Sequence, residues 1–361
     1  MCSIESFCDR GAICSSDEKS IEPGQRWLVQ SGRSLLTMEH VLDRLAKYPA
    51  NVIQVPVYAF WDTEATGLMA QDDHIISLGC VLCLYSDEHG FEPFAEFHEY
   101  VQTSRRMDPV AAAVHHITPA MLSSKGHPFP DVIQSWCDWF QGATQGMNRR
   151  IRTLMLAHNG HGFDDLILYC NMKIRMEQGS MNGPPGSALS YETVMKKLRV
   201  EVSVDTMKML RFLYKDVSED QCPKNSNKKI EFGLGTCFTF FCERPELEGA
   251  HDALVDTWAL VDVMNSPRVR KVVKAHHFSA TFCKSNITYY RPFTRMLSEL
   301  DRSAGLKVKM TSVGAIKVTT KLPDRPLLNM PEFGYDDPDM VQLCWTCMCY
   351  GKLTQHQCAL T

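Results

Sequence analysis

Val57-Tyr58-Ala59-Phe60-Trp61-Asp62-Thr63-Glu64-Ala65-Thr66-Gly67 is the stretch that decides the fold. Its first five residues are β-branched, aromatic or small and apolar, which predicts a core strand over 57–61, and Pro56 places the start of that strand there. Two carboxylates stand at its end. Asp62 and Glu64 are two apart on an extended chain, so both project from one face. Thr66-Gly67-Leu68 then lets the backbone turn sharply and approach a ligand closely.

Working outward, residues 74–85 predict a second strand and 94–101 a third. Helices are expected over 108–115, from Thr118 as cap with Pro119 in the first turn, and over 129–140. A short apolar strand over 153–157 runs into His158-Asn159-Gly160, and Asp164 opens a helix over 164–172. A strand over 202–205 and helices over 206–214, 234–241 and 250–265 complete the unit, with Asp205 read as a helix cap. Residues 176–190 read as a loop or insertion, and 215–229 as a mobile polar loop. On the amino-terminal side, 34–47 predicts an amphipathic helix after a flexible start. A meander of strands followed by strands alternating with helices is an α/β three-layer fold with a mixed central sheet flanked by helices. The divisions expected are an extension over 1–50, the main domain over 51–266, and a small carboxyl-terminal module over 267–361 with β-alternation around 307–321.

The 361 residues, 44% hydrophobic and 22% charged, describe an ordinary globular chain. A net charge of -4 gives no global mark of nucleic-acid binding, although a local basic rim would suffice. No apolar run reaches membrane-spanning length, and the first residues lack a signal-peptide layout, so the expectation is no membrane and an intracellular, cytoplasmic or nuclear, location. The 15 cysteines read as reduced buried thiols. The exception is Cys344, Cys347 and Cys349, followed by His356 and Cys358. That cluster of soft ligands fits a structural Zn²⁺, with unpaired thiols as the other reading.

The chemistry rests on four carboxylates, Asp62, Glu64, Asp164 and Asp256, with His251 five residues before the last. Oxygen donors suit hard cations, Mg²⁺ or Mn²⁺. Two such ions about 4 Å apart can clamp both the attacking and leaving oxygens of a phosphodiester. An offset of five does not share a helix face, so His251 is expected in the loop before the helix of Asp256, free to take a proton from water.

These motifs resemble those of the DEDDh 3′–5′ exonucleases, an RNase H-like group that includes polymerase proofreading domains and the three-prime repair exonucleases. Asp62-x-Glu64-x-Thr66-Gly67 is similar to the first motif, His158-Asn159-Gly160-x-x-Phe163-Asp164 to the second, and His251-x4-Asp256 to the third. The spacing of the second is closer to the three-prime repair branch. His116-Ile117-Thr118 and Val204-Asp205-Thr206 resemble two further family segments, and the likeness runs over 55–265. It implies two metal ions on the four carboxylates, His251 as the base, and release of nucleoside 5′-monophosphates from 3′ ends of single-stranded DNA or RNA. It also implies substrate contacts from Thr66, Gly67, Leu68, His116, Ile117 and Asn159, with Leu68 and Ile117 packing on base or sugar. Phe163 points to Asp164 rather than Asp165 as the ligand. The family extends to dimers, so a homodimer is one expectation. Taken residue by residue, His158, His116 and His74 read as structural. Lys196, Lys197, Arg199, Lys224, Lys228 and Lys229 read as solvated positions or, alternatively, contacts to a nucleic-acid backbone. The competing readings are a catalytically silent RNase H-like module that binds nucleic acid or protein, and partner docking through the cysteine tail.

Overall fold

The computed structural model describes residues 32–47, 54–70, 72–86, 88–147, 150–160, 162–172, 189–214 and 216–275, and five short strands beyond them. The expected extension before residue 32, the insertion over 176–188 and the cysteine cluster with His356 lie outside the described residues. Three strands form an antiparallel meander, β1 (Gln54–Ala65), β2 (Ile75–Ser86) and β3 (Gly90–Tyr100). β4 (Arg150–Ala157) and β5 (Val200–Asp205) continue the sheet in parallel, and β6 (Thr288–Tyr289) adds an antiparallel edge. The order is β3-β2-β1-β4-β5-β6, the mixed arrangement of an RNase H-like fold.

β1 reads as an unbroken apolar run because both its faces are covered. Val55, Val57, Ala59 and Trp61 point into one core with α1 (Met38–Ala46), α4 (Phe129–Thr144), α5 (Asp164–Asn171) and α6 (Tyr191–Lys197). Tyr58 and Phe60 point into the other with α7 (Thr206–Leu213), α8 (Leu234–Cys242), α9 (Ala253–Asn265) and α10 (Pro267–Ala275). The short α2 (Pro109–His115) and α3 (Pro119–Lys125) cap the end of the meander, and Asp108 and Thr118 accept from the backbone N–H of Val110 and Met121 as their sequence positions require.

Several expectations are revised. β1 does not start at Pro56 but at Gln54. The β2 ladder begins only at Tyr58, so β1 is paired on one side at Pro56, and a missing N–H there breaks no ladder bond. The first helix begins after Thr37, whose hydroxyl caps it, leaving Leu36 extended and bonded to the Pro93 carbonyl. α6 was not expected at all: its seven residues are too few for a periodic signal. The loop over 216–229 carries its own hydrogen bonds, with the Asn225 side chain accepting from Asn227 N and Lys229 N and the Cys222 thiol buried. The boundary expected at 266/267 does not mark an end of packing, because Val269 of α10 is fully buried in the second core. Farther on, Val308–Met310 (β7) pairs with Ile316–Val318 (β8), and Val341–Leu343 (β9) with Tyr350–Lys352 (β10), each antiparallel. The seven described cysteines are free thiols, and burial pushes those of Cys80 and Cys137 up to about 12. No helix of the described residues is long and apolar enough to cross a membrane.

Candidate active site

Strand parity sets the site. Asp62 and Glu64 continue the face of Tyr58 and Phe60, the side covered by α9, and lie opposite Gly79 and Ser77 of β2. Gly79 is the reason α9 can seat there: a Cβ at this position would stand 2.4 Å from the Ala253 carbonyl oxygen. Asp252 caps α9 by accepting from Leu254 N and Val255 N, which fixes the first turn and therefore Asp256. His251 falls just before that cap with φ 66°, a left-handed residue outside the helix, as the offset of five required. Its backbone N–H donates to Asp256 Oδ1 at 3.2 Å. Ligand atoms of Glu64, His251 and Asp256 lie within 4.8 Å of one another.

Asp164 closes the nest from the other side. It stands at the first position of α5, nearly fully buried, and its Oδ1 accepts from Thr63 N at 2.9 Å and Thr63 Oγ1 at 2.8 Å. Asp165 is turned away, its Oδ2 accepting from Ser203 Oγ at 2.7 Å. The chain therefore assigns the two adjacent carboxylates to different places. Burial raises Asp62 well above the usual carboxylate range, and the charges of Asp164, Glu64, Asp256 and Asp252 add to it. Burial likewise raises Glu64, with Asp256, Asp164 and Asp252 adding. Asp164 is pushed up to about 8 by burial against the opposing bonds from Thr63, and Asp256 to about 7 by burial against the His251 N–H. The repulsion that Asp62 and Glu64 feel from Asp164 and Asp256 is the mark of four carboxylates crowded together. His251 is lowered by partial burial and then by His116, so its imidazole stays neutral near neutral pH.

The turn after β1 is locked by a residue the sequence reading passed over. Asp73 accepts from Thr66 Oγ1 at 3.0 Å and from Met69 N at 2.7 Å, and a Cβ on Gly67 would stand 2.6 Å from its Oδ2. Leu68 is held out at the tip, 51% exposed. Ile117 is a correction: only 3% exposed, it packs in a small core with Ile76 and Leu122 and has no face for a base or sugar. The left-handed His116 (φ 57°) ends α2 and turns the next side chain inward, while itself staying exposed beside His251. Asn159 also has a positive φ, 65°, and its buried Oδ1 has no hydrogen-bond partner among the described residues.

His158 and His74 are structural pins. His158 bonds Thr206 Oγ1 at 3.1 Å and the Phe232 carbonyl at 2.6 Å, and His74 bonds Thr103 Oγ1 at 2.6 Å. Asp205 caps α7 through Lys208 N at 3.0 Å. Lys196 and Arg199 are exposed, and they lie at the far end of the sheet, where the Arg199 carbonyl accepts from Thr153 at the start of β4. Lys224, Lys228 and Lys229 are exposed on the loop that leads to Phe232, and thus to His158 at the site end of β4. The signal for Asp73 and Gly79 was present in the sequence, an acidic residue closing a turn and a glycine inside a strand, but neither names its partner.

A mixed sheet with crowded carboxylates at one end and an imidazole at the mouth defines the class, an α/β domain of RNase H-like fold. Residues 59–175 match the family model described as Exonuclease, RNase_T. A DNA polymerase III subunit epsilon from Treponema pallidum (strain Nichols) is 24% identical over 242 residues, 64% of this chain and 93% of the relative. The same subunit from Pasteurella multocida is 37% identical over 87 residues, 23% of this chain and 32% of the relative. Among solved structures, Exonuclease I from E. coli in complex with a dT13 oligonucleotide gives a TM-score of 0.43 at 17% identity, covering 65% of this chain and 51% of that one. Exonuclease I from Methylocaldum szegediense gives 0.45 at 18%, covering 60% and 40%. The chain spans about half the length, or less, of these solved structures.

Proposed function

We propose that this chain is a divalent-metal-dependent 3′–5′ exonuclease that removes nucleoside 5′-monophosphates from single-stranded DNA or RNA. The observation that carries the reading is the meeting of Asp62, Glu64 and Asp164 with Asp256 and His251 at one end of the sheet. The donor set fits the metal the family uses: four carboxylates supply oxygen ligands, and burial plus mutual repulsion leave them short of positive charge. Asp62, Glu64, Asp164 and Asp256 would hold Mg²⁺ or Mn²⁺. When bound, such ions supply charge neutralisation at the phosphate and a lowered pKa for water.

The remaining work falls to the chain's own side chains. His251, neutral and at the solvent edge, accepts the proton of the attacking water at an imidazole nitrogen. Thr63 keeps the Asp164 carboxylate aimed by two hydrogen bonds. The Thr66–Leu68 turn, braced by Asp73, holds the 3′-terminal sugar and base against exposed Leu68. The silent-module alternative has no observation in its favour, since all five groups are present and grouped.

The deciding experiment incubates the purified chain with 5′-labelled and 3′-labelled single-stranded DNA and RNA, with and without Mg²⁺ or Mn²⁺. The expected result is a ladder shortening from the 3′ end, metal-dependent, with mononucleotide products. Asp62→Ala should lose about 10³-fold or more, the several kcal/mol that charge stabilisation by a held cation supplies, with an unchanged circular dichroism spectrum. Equal turnover by wild type and Asp62→Ala would sink the proposal.

A further inference from the structure

A cavity of about 610 Å³ opens beside the turn that closes the candidate active site. Its floor is apolar, made by the buried side chains of Leu122 and Phe129. Its walls are neutral and polar, from Gln102, Thr103, Ser104 and Ser123. His74 joins it to the active-site turn: its carbonyl accepts from Thr66 N at 2.9 Å, and its backbone N–H donates to Thr66 Oγ1 at 3.0 Å. No carboxylate lines it. The neighbouring Asp73 is engaged with Thr66 and Met69, and Asp131 sits exposed on α4 without lining the cavity. The residues that follow the walls in sequence are cationic and exposed, Arg106 after Ser104 and Arg105, and Lys125 after Ser123 and Ser124, while Arg105 itself lies 3.8 Å from the Asp73 carboxylate.

We propose that this cavity is the subsite for an upstream nucleotide of the same strand whose 3′ end sits on the carboxylates, a deepening that rests on the exonuclease reading above. The dimensions agree. Two strand residues at about 3.3 Å each separate Glu64 from Thr66, and one ladder spacing of about 4.8 Å separates Thr66 from His74. The mouth therefore starts on the order of 10 Å from the nest, and stacked bases advance about 3.4 Å per step. That places the cavity at roughly the second to fourth nucleotide from the end. A concave site with an apolar floor and a few polar groups suits a base and sugar, and the volume lies within the range of small-ligand pockets. The basic rim supplies the phosphate attraction that the chain's overall charge of -4 lacks.

Charge reversal at the two exposed wall positions tests this. Ser104→Glu/Ser123→Glu should raise KM for a single-stranded DNA octamer about tenfold with kcat unchanged, and Ser104→Lys/Ser123→Lys should lower it. Neither should change turnover of a dinucleotide, which is too short to reach. Damage to the fold cannot produce shifts of opposite sign. Octamer KM values that are the same in all three proteins overturn the subsite alone, as does an equal effect on dinucleotide and octamer. A wild type that shortens no oligomer at all removes the exonuclease reading, and this subsite with it.

Discussion

Where β1 meets α5, Asp164 is buried and takes two hydrogen bonds from one residue of the neighbouring strand, whereas where the loop meets α9, His251 stands exposed in a left-handed conformation. The same carboxylate-bearing end of the sheet is thus built in two ways. The β1–α5 corner is part of the first core, and its carboxylate cannot move without breaking bonds to Thr63. At the α9 mouth the backbone N–H of His251 is fastened to Asp256, but its ring is not bonded within the described residues by any contact of that kind. A cation needs ligands that stay put, while a base must reach water and release its proton again. The division of rigidity fits the proposed division of labour.

The largest effect should come from the mouth. His251→Gly removes the proton acceptor and should lower kcat about 10²–10⁴-fold, the usual worth of a positioned general base. Folding should be indifferent or improved. A left-handed non-glycine residue carries roughly 1–2 kcal/mol of strain, which glycine relieves against a loss of about 0.5–1 kcal/mol through its freer unfolded chain. An activity loss accompanied by a melting temperature many degrees lower would show that the mouth is structural after all, and the contrast between the two corners would fail.

A smaller effect, on stability, should come from the seam that joins the corners. In Gly79→Ala the new methyl would meet the Ala253 carbonyl, and two backbone segments must part to admit it. Overpacking of this kind costs about 1–3 kcal/mol, or roughly 2–4 °C in melting temperature per kcal/mol for a domain of this size. Asp256 and His251 shift with α9, while the Thr63–Asp164 pair stays in place. Retention of both full stability and full turnover would mean that α9 is not seated through Gly79.

Much of this was legible in the chain because it depended on local rules. Parity put Asp62 and Glu64 on one face, Pro109 and Pro119 with their caps marked α2 and α3, and the five-residue offset placed His251 outside α9. What stayed hidden depended on partners distant in sequence. Ile117 looks the same whether it faces a ligand or Ile76 and Leu122, and only the packed structure shows the second. Asp73 could brace any turn, and its role appears only when Thr66 and Met69 close on it. The strand around Pro56 was misjudged because proline forbids a ladder bond on one side only, and the sequence does not say which side is open.

A further effect on stability reads both corners at once through their protons. Burial pushes the Asp164 carboxyl up to about 8 and that of Asp256 up to about 7, against ordinary aspartate at 3.8. Between the unfolded and folded values the native state binds more protons than the unfolded chain, so stability falls as pH rises. The loss begins above about pH 4 and is complete only above the folded values. In EDTA the melting temperature should therefore be several degrees lower at pH 8 than at pH 5. Mg²⁺ or Mn²⁺ should raise it more at pH 8 than at pH 5, because a cation favours the ionised carboxylates and must displace protons at the lower pH. Substituting Asp256→Asn should make the slope shallower between about pH 4 and 7 and leave it unchanged nearer 8, where Asp164 still loses its proton. Should the slope in EDTA be flat in the wild type, the two carboxylates are not buried as the geometry has them, and the rigid corner and the mouth are both more open to water than the packing shows.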